Sequence, residues 1–273
     1  MLVKAHDPWE LRDIIRLARA ARINTRVIGA GSNILAQDKG VKGLIVKLDS
    51  PLFKRISLES SSRVKAGAGA SLSRFIAFCR SRSLAGSEFL TGIPGTIGGG
   101  LAMNAGISVK SANKKIKDQA IGDLVEIVRV MDYNGGIKEL KAKDIKFVYR
   151  DSGLSGYIIL EAVFKLRKGD KNRVTRNIRE CAFRRRQSQD YSFPSAGCVF
   201  KNPPADSAGR LIDQSGLKGK KAGGAAVSRK HANFIVNLGN ARAKDVLSLI
   251  ALIKKEVKRN FKVNLEPEIK IWK

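Results

Sequence analysis

A chain of 273 residues with 43% hydrophobic content is long enough for two modest cores or one elaborate one. Its 52 Lys and Arg against 24 Asp and Glu leave a formal charge of +28, which favours anionic partners: phosphorylated small molecules or nucleic acid. No apolar run reaches the ~18 residues that span a bilayer and no charged-then-apolar leader opens the chain, so a cytoplasmic protein without membrane insertion is expected.

The first element is a helix opened by Asp7-Pro8-Trp9-Glu10, with Asp7 as cap, Pro8 in the first turn and Glu10 completing a capping-box pattern. Leu11, Ile14, Ile15 and Ala18 share one face. Thr25 to Ile28 reads as a strand running into Gly29-Ala30-Gly31-Ser32-Asn33, and Leu44 to Leu48 as another. Val64 to Ala70 is a strand ending in glycines, and Ser71 caps a helix carrying Phe75, Phe78 and Cys79. A long loop is expected over Gly92–Gly100. A hairpin follows, with strands at Leu124–Met131 and Ile137–Leu140 around Asn134-Gly135-Gly136, then a strand at Tyr157–Leu166.

Residues 167–190 carry no strand pattern and read as a basic helix and connector. This places a domain boundary between 1–168 and 169–273. Beyond it, Ala208–Gln214 reads as helix, Gly224–Val227 and Phe234–Asn237 as strands. Val246, Leu249, Ile250, Ile253 and Val257 form a helical stripe, and Val263–Trp272 reads as a terminal strand.

Three cysteines, Cys79, Cys181 and Cys198, match no zinc or CxxC spacing. Two histidines, His6 and His231, are too few for a histidine metal site, so no metal is expected. Cys79 and Cys181 read as structural. Cys198 lies in Ser195-Ala-Gly-Cys-Val-Phe-Lys-Asn-Pro203. A thiol at an exposed turn there serves as nucleophile, proton donor or redox group; the alternative is a small buried cysteine.

Two glycine-rich segments bear on ligand binding. Gly29-Ala30-Gly31-Ser32-Asn33 follows a strand, where glycines let backbone approach a phosphate and Ser32 and Asn33 add donors. An ordinary turn fits the same residues, and the dinucleotide fingerprint is not met. The second runs from Gly92-Ile93-Pro94-Gly95-Thr96 through Gly98, Gly99, Gly100 and Asn104 to Gly106. Ordering so much glycine is entropically unfavourable, which points to a large cofactor or to a loop packed on itself.

Taken together, these stretches resemble the UDP-N-acetylenolpyruvoylglucosamine reductase family. The resemblance rests on Gly29–Leu35, Gly92–Gly99 with Met103-Asn-Ala-Gly106, Tyr149-Arg-Asp-Ser152, Ser195–Pro203, Gly209–Gly219, Gly223–Asn237 and Leu265-Glu-Pro-Glu-Ile269, in family order over nearly the whole chain. It implies an α+β protein: a vanillyl-alcohol-oxidase-like (PCMH-type) FAD-binding region of two subdomains, then a C-terminal α+β substrate domain. It further implies FAD as cofactor, NADPH as hydride donor, and reduction of UDP-N-acetylglucosamine enolpyruvate to UDP-N-acetylmuramate for peptidoglycan synthesis.

The same resemblance assigns residues. Arg150 would stabilise the enolate, Glu268 would assist it, and Cys198 stands where the family commonly has a proton-donating serine. Gly29, Ala30, Gly31, Ser32, Asn33, Gly92, Ile93, Pro94, Gly95, Thr96, Gly98, Gly99, Asn104 and Gly106 would bind the cofactor. Lys201, Asn202, Arg210, Lys218, Lys230 and His231 would meet the substrate. The chain starts almost at its first helix, so an N-terminal strand is expected to be missing. There is no room for the tyrosine-bearing loop of one subclass, which points to the shorter one. A related FAD oxidoreductase, a non-catalytic flavoprotein and a basic nucleic-acid-binding module are the competing readings. The last explains the charge but not the glycines, and without a recognition motif no nucleic acid is expected.

Overall fold

The computed structural model describes residues 1–110 and 116–273, which form two compact units: residues 1–30 with 43–183, and residues 31–42 with 184–273.

In the first unit, a strand outside the expected set, Leu2–Ala5, precedes helix α1, Pro8–Ala20. The Asp7 carboxylate accepts from the amides of Trp9 and Glu10 at 2.7 and 2.8 Å. Glu10 reaches back to the amide of His6, at 2.7 Å, one residue outside the expected capping box. Leu11, Ile15 and Ala18 are buried as the period requires. Strand Leu44–Leu48 lies between Leu2–Ala5 and Thr25–Ile28, parallel to both.

An antiparallel sheet of five strands runs in the order Ile137–Lys141, Val125–Asp132, Tyr157–Lys165, Arg63–Gly67, Ile56–Leu58. Its expected hairpin turns where the Asp132 carboxylate accepts from the amides of Asn134 and Gly136, and Gly135 takes a φ of 87°. Helix α2, Leu72–Ser81, is capped by Ser71 and sets Phe75 against Phe164 with ring centroids 4.7 Å apart. Cys79 is buried on that face, and loss of solvation pushes its thiol up to about 12.

The glycine segment is not all loop. Ile97–Ala102 forms helix α3, capped by Thr96, whose hydroxyl accepts from the Gly99 amide. Glycine opposes this helix by propensity. Tertiary contacts override it: Ile97 and Leu101 are fully buried, and the Ile97 and Gly98 amides donate to the carbonyls of Ala70 and Ala68. Helix α4, Lys171–Ser188, is the expected basic helix, opened by Asp170 accepting from the Arg173 amide.

The second unit has a sheet of four strands in the order Ser195–Cys198, Phe234–Asn237, Ala225–Val227, Lys221–Ala222. Helix α5, Ala208–Gln214, and helix α6, Ala243–Phe261, bury Leu211, Ile212, Leu249, Ile250, Ile253 and Val257 in its core. The amides of Ala243 and Lys244 at the start of α6 donate to the Asp38 carboxylate at 2.7 and 3.1 Å. The terminal strand is shorter than expected: only Lys270–Trp272 forms it, parallel to Ile34–Ala36. Pro267 lacks an amide to donate, and it forms only an isolated bridge, with Phe200. No helix among the described residues is long and apolar enough to cross a membrane.

Candidate active site

In the first unit, Gly29, Thr96, Gly98 and Gly99 line a cavity of about 230 Å³ together with Lys47, Asp49, Gly69, Tyr133, Ser155 and Tyr157. The glycines there are not alike. A Cβ on Gly29 would come within 2.6 Å of the Thr96 hydroxyl, and one on Gly98 within 2.9 Å of the Ala68 Cβ, so both are demanded by packing. A Cβ on Gly99 would meet only the Thr96 hydroxyl, at 3.5 Å, so bare backbone is open to the cavity there. Backbone cleared of side chains beside hydroxyls and a lysine fits part of a dinucleotide such as FAD. Whole-ligand pockets run to roughly 300–1,000 Å³, so a cavity of this size has room for only one portion of such a molecule.

The other expected cofactor residues are distributed differently. Gly92, Ile93, Pro94 and Gly95 precede α3 and do not line the cavity. Gly92 and Gly95 take positive φ, and the Gly95 carbonyl accepts from Leu72. Ala30 ends the first unit's opening segment, while Gly31, Ser32 and Asn33 belong to the second unit. Asn104 is 7% exposed, and both ends of its amide are used within the protein: Nδ2 donates to the Val148 carbonyl at 2.9 Å and Oδ1 accepts from Gly122 at 3.1 Å. A Cβ on Gly106 would strike the Gln119 carbonyl at 2.1 Å, so that glycine serves strand pairing.

Arg150 lies in a tight turn in which Val148 and Asp151 exchange both backbone hydrogen bonds. Its φ of 59° is left-handed, uncommon for arginine. Its guanidinium donates to the Gly106 carbonyl at 3.2 Å and stands 5.0 Å from the Tyr149 ring centroid. Ser152, fully buried, donates its hydroxyl to the Ala102 carbonyl at 3.2 Å.

In the second unit, Cys198 is not in a simple exposed turn. It is half-buried at the end of a bulged strand: Ser195 pairs with Val236 and Cys198 with Phe234, the register shifting between them. Gly197 takes a φ of 77° in the bulge with open space around it, so its backbone and not crowding requires glycine. Bulges re-aim the following side chain. The next residue brings the two predicted reactive segments together, because the Glu268 amide donates to the Val199 carbonyl at 2.8 Å and the Lys201 amide to the Glu266 carbonyl at 2.9 Å. Asn33 joins them, its Nδ2 donating to the Glu268 carbonyl at 3.2 Å.

The expected substrate residues are mostly engaged. Lys201 pairs with Glu266 at 3.5 Å and Lys218 with Asp213 at 2.6 Å. Arg210 grips both oxygens of Asp206 and reaches Gln214, and Lys230 donates to the Arg186 carbonyl. The Asn202 side chain accepts from the Ala208 amide at 3.0 Å, fixing the start of α5. His231 accepts from the Asn233 amide through Nδ1 and lies 4.6 Å from the Phe234 ring. Burial, the largest cause, pushes its pKa below the usual histidine value, with Lys218 adding to the effect.

One residue escaped the sequence reading. Asn233 is buried and spans Phe200, accepting from its amide at 2.9 Å and donating to its carbonyl at 2.8 Å. It therefore holds the backbone between Cys198 and Lys201. The available signal was an asparagine directly before an apolar strand, where a buried unsatisfied amide would be costly.

Comparison with known proteins gives a consistent result. Residues 1–141 match the FAD binding domain family, and residues 188–272 match the family described as the C-terminal domain of UDP-N-acetylenolpyruvoylglucosamine reductase. UDP-N-acetylenolpyruvoylglucosamine reductase 2 of Symbiobacterium thermophilum is 42% identical over 99% of this chain and 85% of its own. The reductase of Caldanaerobacter subterraneus subsp. tengcongensis is 42% identical over 96% of this chain and 83% of its own. The solved reductase of Thermus caldophilus aligns with a TM-score of 0.83 at 36% identity, covering 100% of this chain and 92% of that one. An α+β fold with an FAD-binding region followed by a distinct C-terminal domain is therefore the arrangement that the motifs implied. This chain belongs to the UDP-N-acetylenolpyruvoylglucosamine reductase family.

Proposed function

We propose that this protein reduces the enolpyruvyl group of UDP-N-acetylglucosamine enolpyruvate to UDP-N-acetylmuramate, with FAD as cofactor and NADPH as electron source, in cytoplasmic peptidoglycan precursor synthesis. The observation that carries the reading is identity of 42% with a reductase over 99% of the chain, with Arg150, Cys198 and Glu268 all at the motif positions. Residues 1–168 hold the flavin and 169–273 the substrate, in the manner of the shorter subclass.

FAD, when bound, supplies the hydride chemistry. Gly29, Thr96, Gly98 and Gly99, which line the cavity, would hold part of it. The chain's own work is electrostatic and acid–base. Hydride addition at the terminal vinyl carbon leaves an electron pair on the neighbouring carbon, delocalised into its carboxylate. The Arg150 guanidinium stabilises that enolate where the charge develops. Glu268 assists it through its carboxyl group. The Cys198 thiol delivers the proton to carbon and is reprotonated from solvent. Lys201, Asn202, Arg210, Lys218, Lys230 and His231 bind the nucleotide sugar. The charge of +28 draws the anionic substrate and NADPH toward the protein.

The test is an absorbance spectrum of purified protein, followed anaerobically by NADPH and then by the enolpyruvyl nucleotide sugar. A flavin band that bleaches with the first addition and returns with the second is expected. A protein without a flavin band after reconstitution, or one whose colour does not return, would overturn the reading.

A further inference from the structure

Three alternating residues, the last of α3 and two beyond it, hold three alternating residues around Arg150. The Ala102 carbonyl accepts from the Ser152 hydroxyl, the Asn104 amide donates to the Val148 carbonyl, and the Gly106 carbonyl accepts from the Arg150 guanidinium. The central contact is made by the buried Asn104 side chain, and the Ser152 hydroxyl beside it is buried as well. Asn104 itself takes a φ of 42°, a left-handed conformation that asparagine tolerates better than most residues. Its other end accepts from Gly122, where a Cβ would press within 2.9 Å of Asn104 Oδ1 and 2.6 Å of the Phe147 ring. The amide is thus locked on both sides.

From this we infer that Asn104 is a positioning residue for Arg150 and not a cofactor ligand. The inference rests on the proposed role of Arg150. A non-glycine residue at positive φ is strained and persists only where its surroundings over-determine it. Here the over-determination is visible. Val148 and Asp151 close the turn, Asn104 fixes the Val148 carbonyl, Ser152 anchors the exit, and Gly106 receives the guanidinium itself. With the Asn104 donor removed, the turn can relax from its left-handed residue and the guanidinium loses its aim. A guanidinium that stabilises an enolate must be placed to a fraction of an ångström, and small misplacements cost large factors in rate.

The experiment separates the two half-reactions. Asn104→Asp keeps the acceptor for Gly122 and the side-chain volume while removing the donor to Val148. Asn104→Ala removes both contacts. In both variants FAD content per chain and the rate of flavin reduction by NADPH should match the parent. Reoxidation by the enolpyruvyl nucleotide sugar should slow by roughly tenfold to a hundredfold. In the apoprotein, amide hydrogen exchange at Val148 and Asp151 should rise in Asn104→Asp, since both amides are bonded within the turn. In an Arg150→Ala background, Asn104→Asp should add no further loss of reoxidation rate, whereas a general structural defect would add its own. Loss of FAD from Asn104→Asp, or full-speed reoxidation in it while Arg150→Ala is slow, would overturn the positioning role alone. An Arg150→Ala protein that reoxidises at the parental rate would overturn both that role and the reading of Arg150. If Asn104→Ala does not fold, Asn104→Asp and Ser152→Ala, which removes only the Ala102 contact, carry the same test.

Discussion

Asn33 and Glu268 stand 235 positions apart in the chain, yet the Asn33 side-chain amide donates to the Glu268 carbonyl at 3.2 Å. The backbone carbonyl of Asn33 accepts from the Lys270 amide at 2.9 Å. A residue expected to meet a cofactor phosphate thus clasps the segment that carries the proposed catalytic carboxylate. Asn33→Ala should destabilise the protein by about 1 kcal/mol, the net worth of one such bond, and lower the rate of substrate-driven flavin reoxidation. Chemical denaturation and stopped-flow absorbance check the two effects, and an unchanged stability with intact reoxidation would contradict the clasp.

Cys198 and Cys79 should differ sharply toward alkylating reagents. Cys79 is fully buried with its thiol pushed up to about 12, whereas Cys198 is half-buried at the end of a bulge. Iodoacetamide at pH 8 on a Cys181→Ser protein should label Cys198, leave Cys79 unmodified, and abolish turnover. Cys198→Ser, which restores the family's common residue, should keep measurable turnover and become insensitive to the reagent. Peptide mass spectrometry identifies the labelled thiol, and labelled protein with full turnover would remove Cys198 from the proton-donor role.

Stability should fall as pH drops through the histidine range. The pKa of His231 is lowered in the folded protein, first by burial and then by Lys218. The unfolded chain therefore takes up a proton that the folded one refuses. The stability attached to His231 is complete above its unfolded pKa of about 6.5 and is lost as pH falls from there toward the lower folded value. Thermal unfolding midpoints between pH 7.5 and 5.5 should decline. His231→Gln should flatten that decline, and an identical slope in the variant would refute the assignment.

Asp38 should matter more than its place in a short connecting segment suggests. It takes two amides at the start of α6 from across 205 and 206 positions of chain. Asp38→Ala should cost about 1–2 kcal/mol, the usual loss when a helix cap is removed, as read by the denaturant midpoint. Asp38→Asn should recover part of it, because one side-chain oxygen can still accept. Equal losses in both variants would indicate a different cause.

The elements that the sequence determined are those whose signal is local. The stripe of α6, the caps at Asp7 and Ser71, the Asn134-Gly135-Gly136 turn and the strand alternation each depend on neighbours within a few positions. The chemistry proposed for Arg150, Cys198 and Glu268 rests on motif order along the chain. What the tertiary structure alone decided are long-range hydrogen bonds and close backbone approaches. They made a helix of a glycine segment that opposes one, gave Asn104 to the Arg150 turn, and set Asn233 across Phe200. No local pattern encodes these, because whether an amide meets a ligand or a distant carbonyl depends on which remote backbone lies within about 3 Å of it. Packing can also override the preferences of the residues it orders.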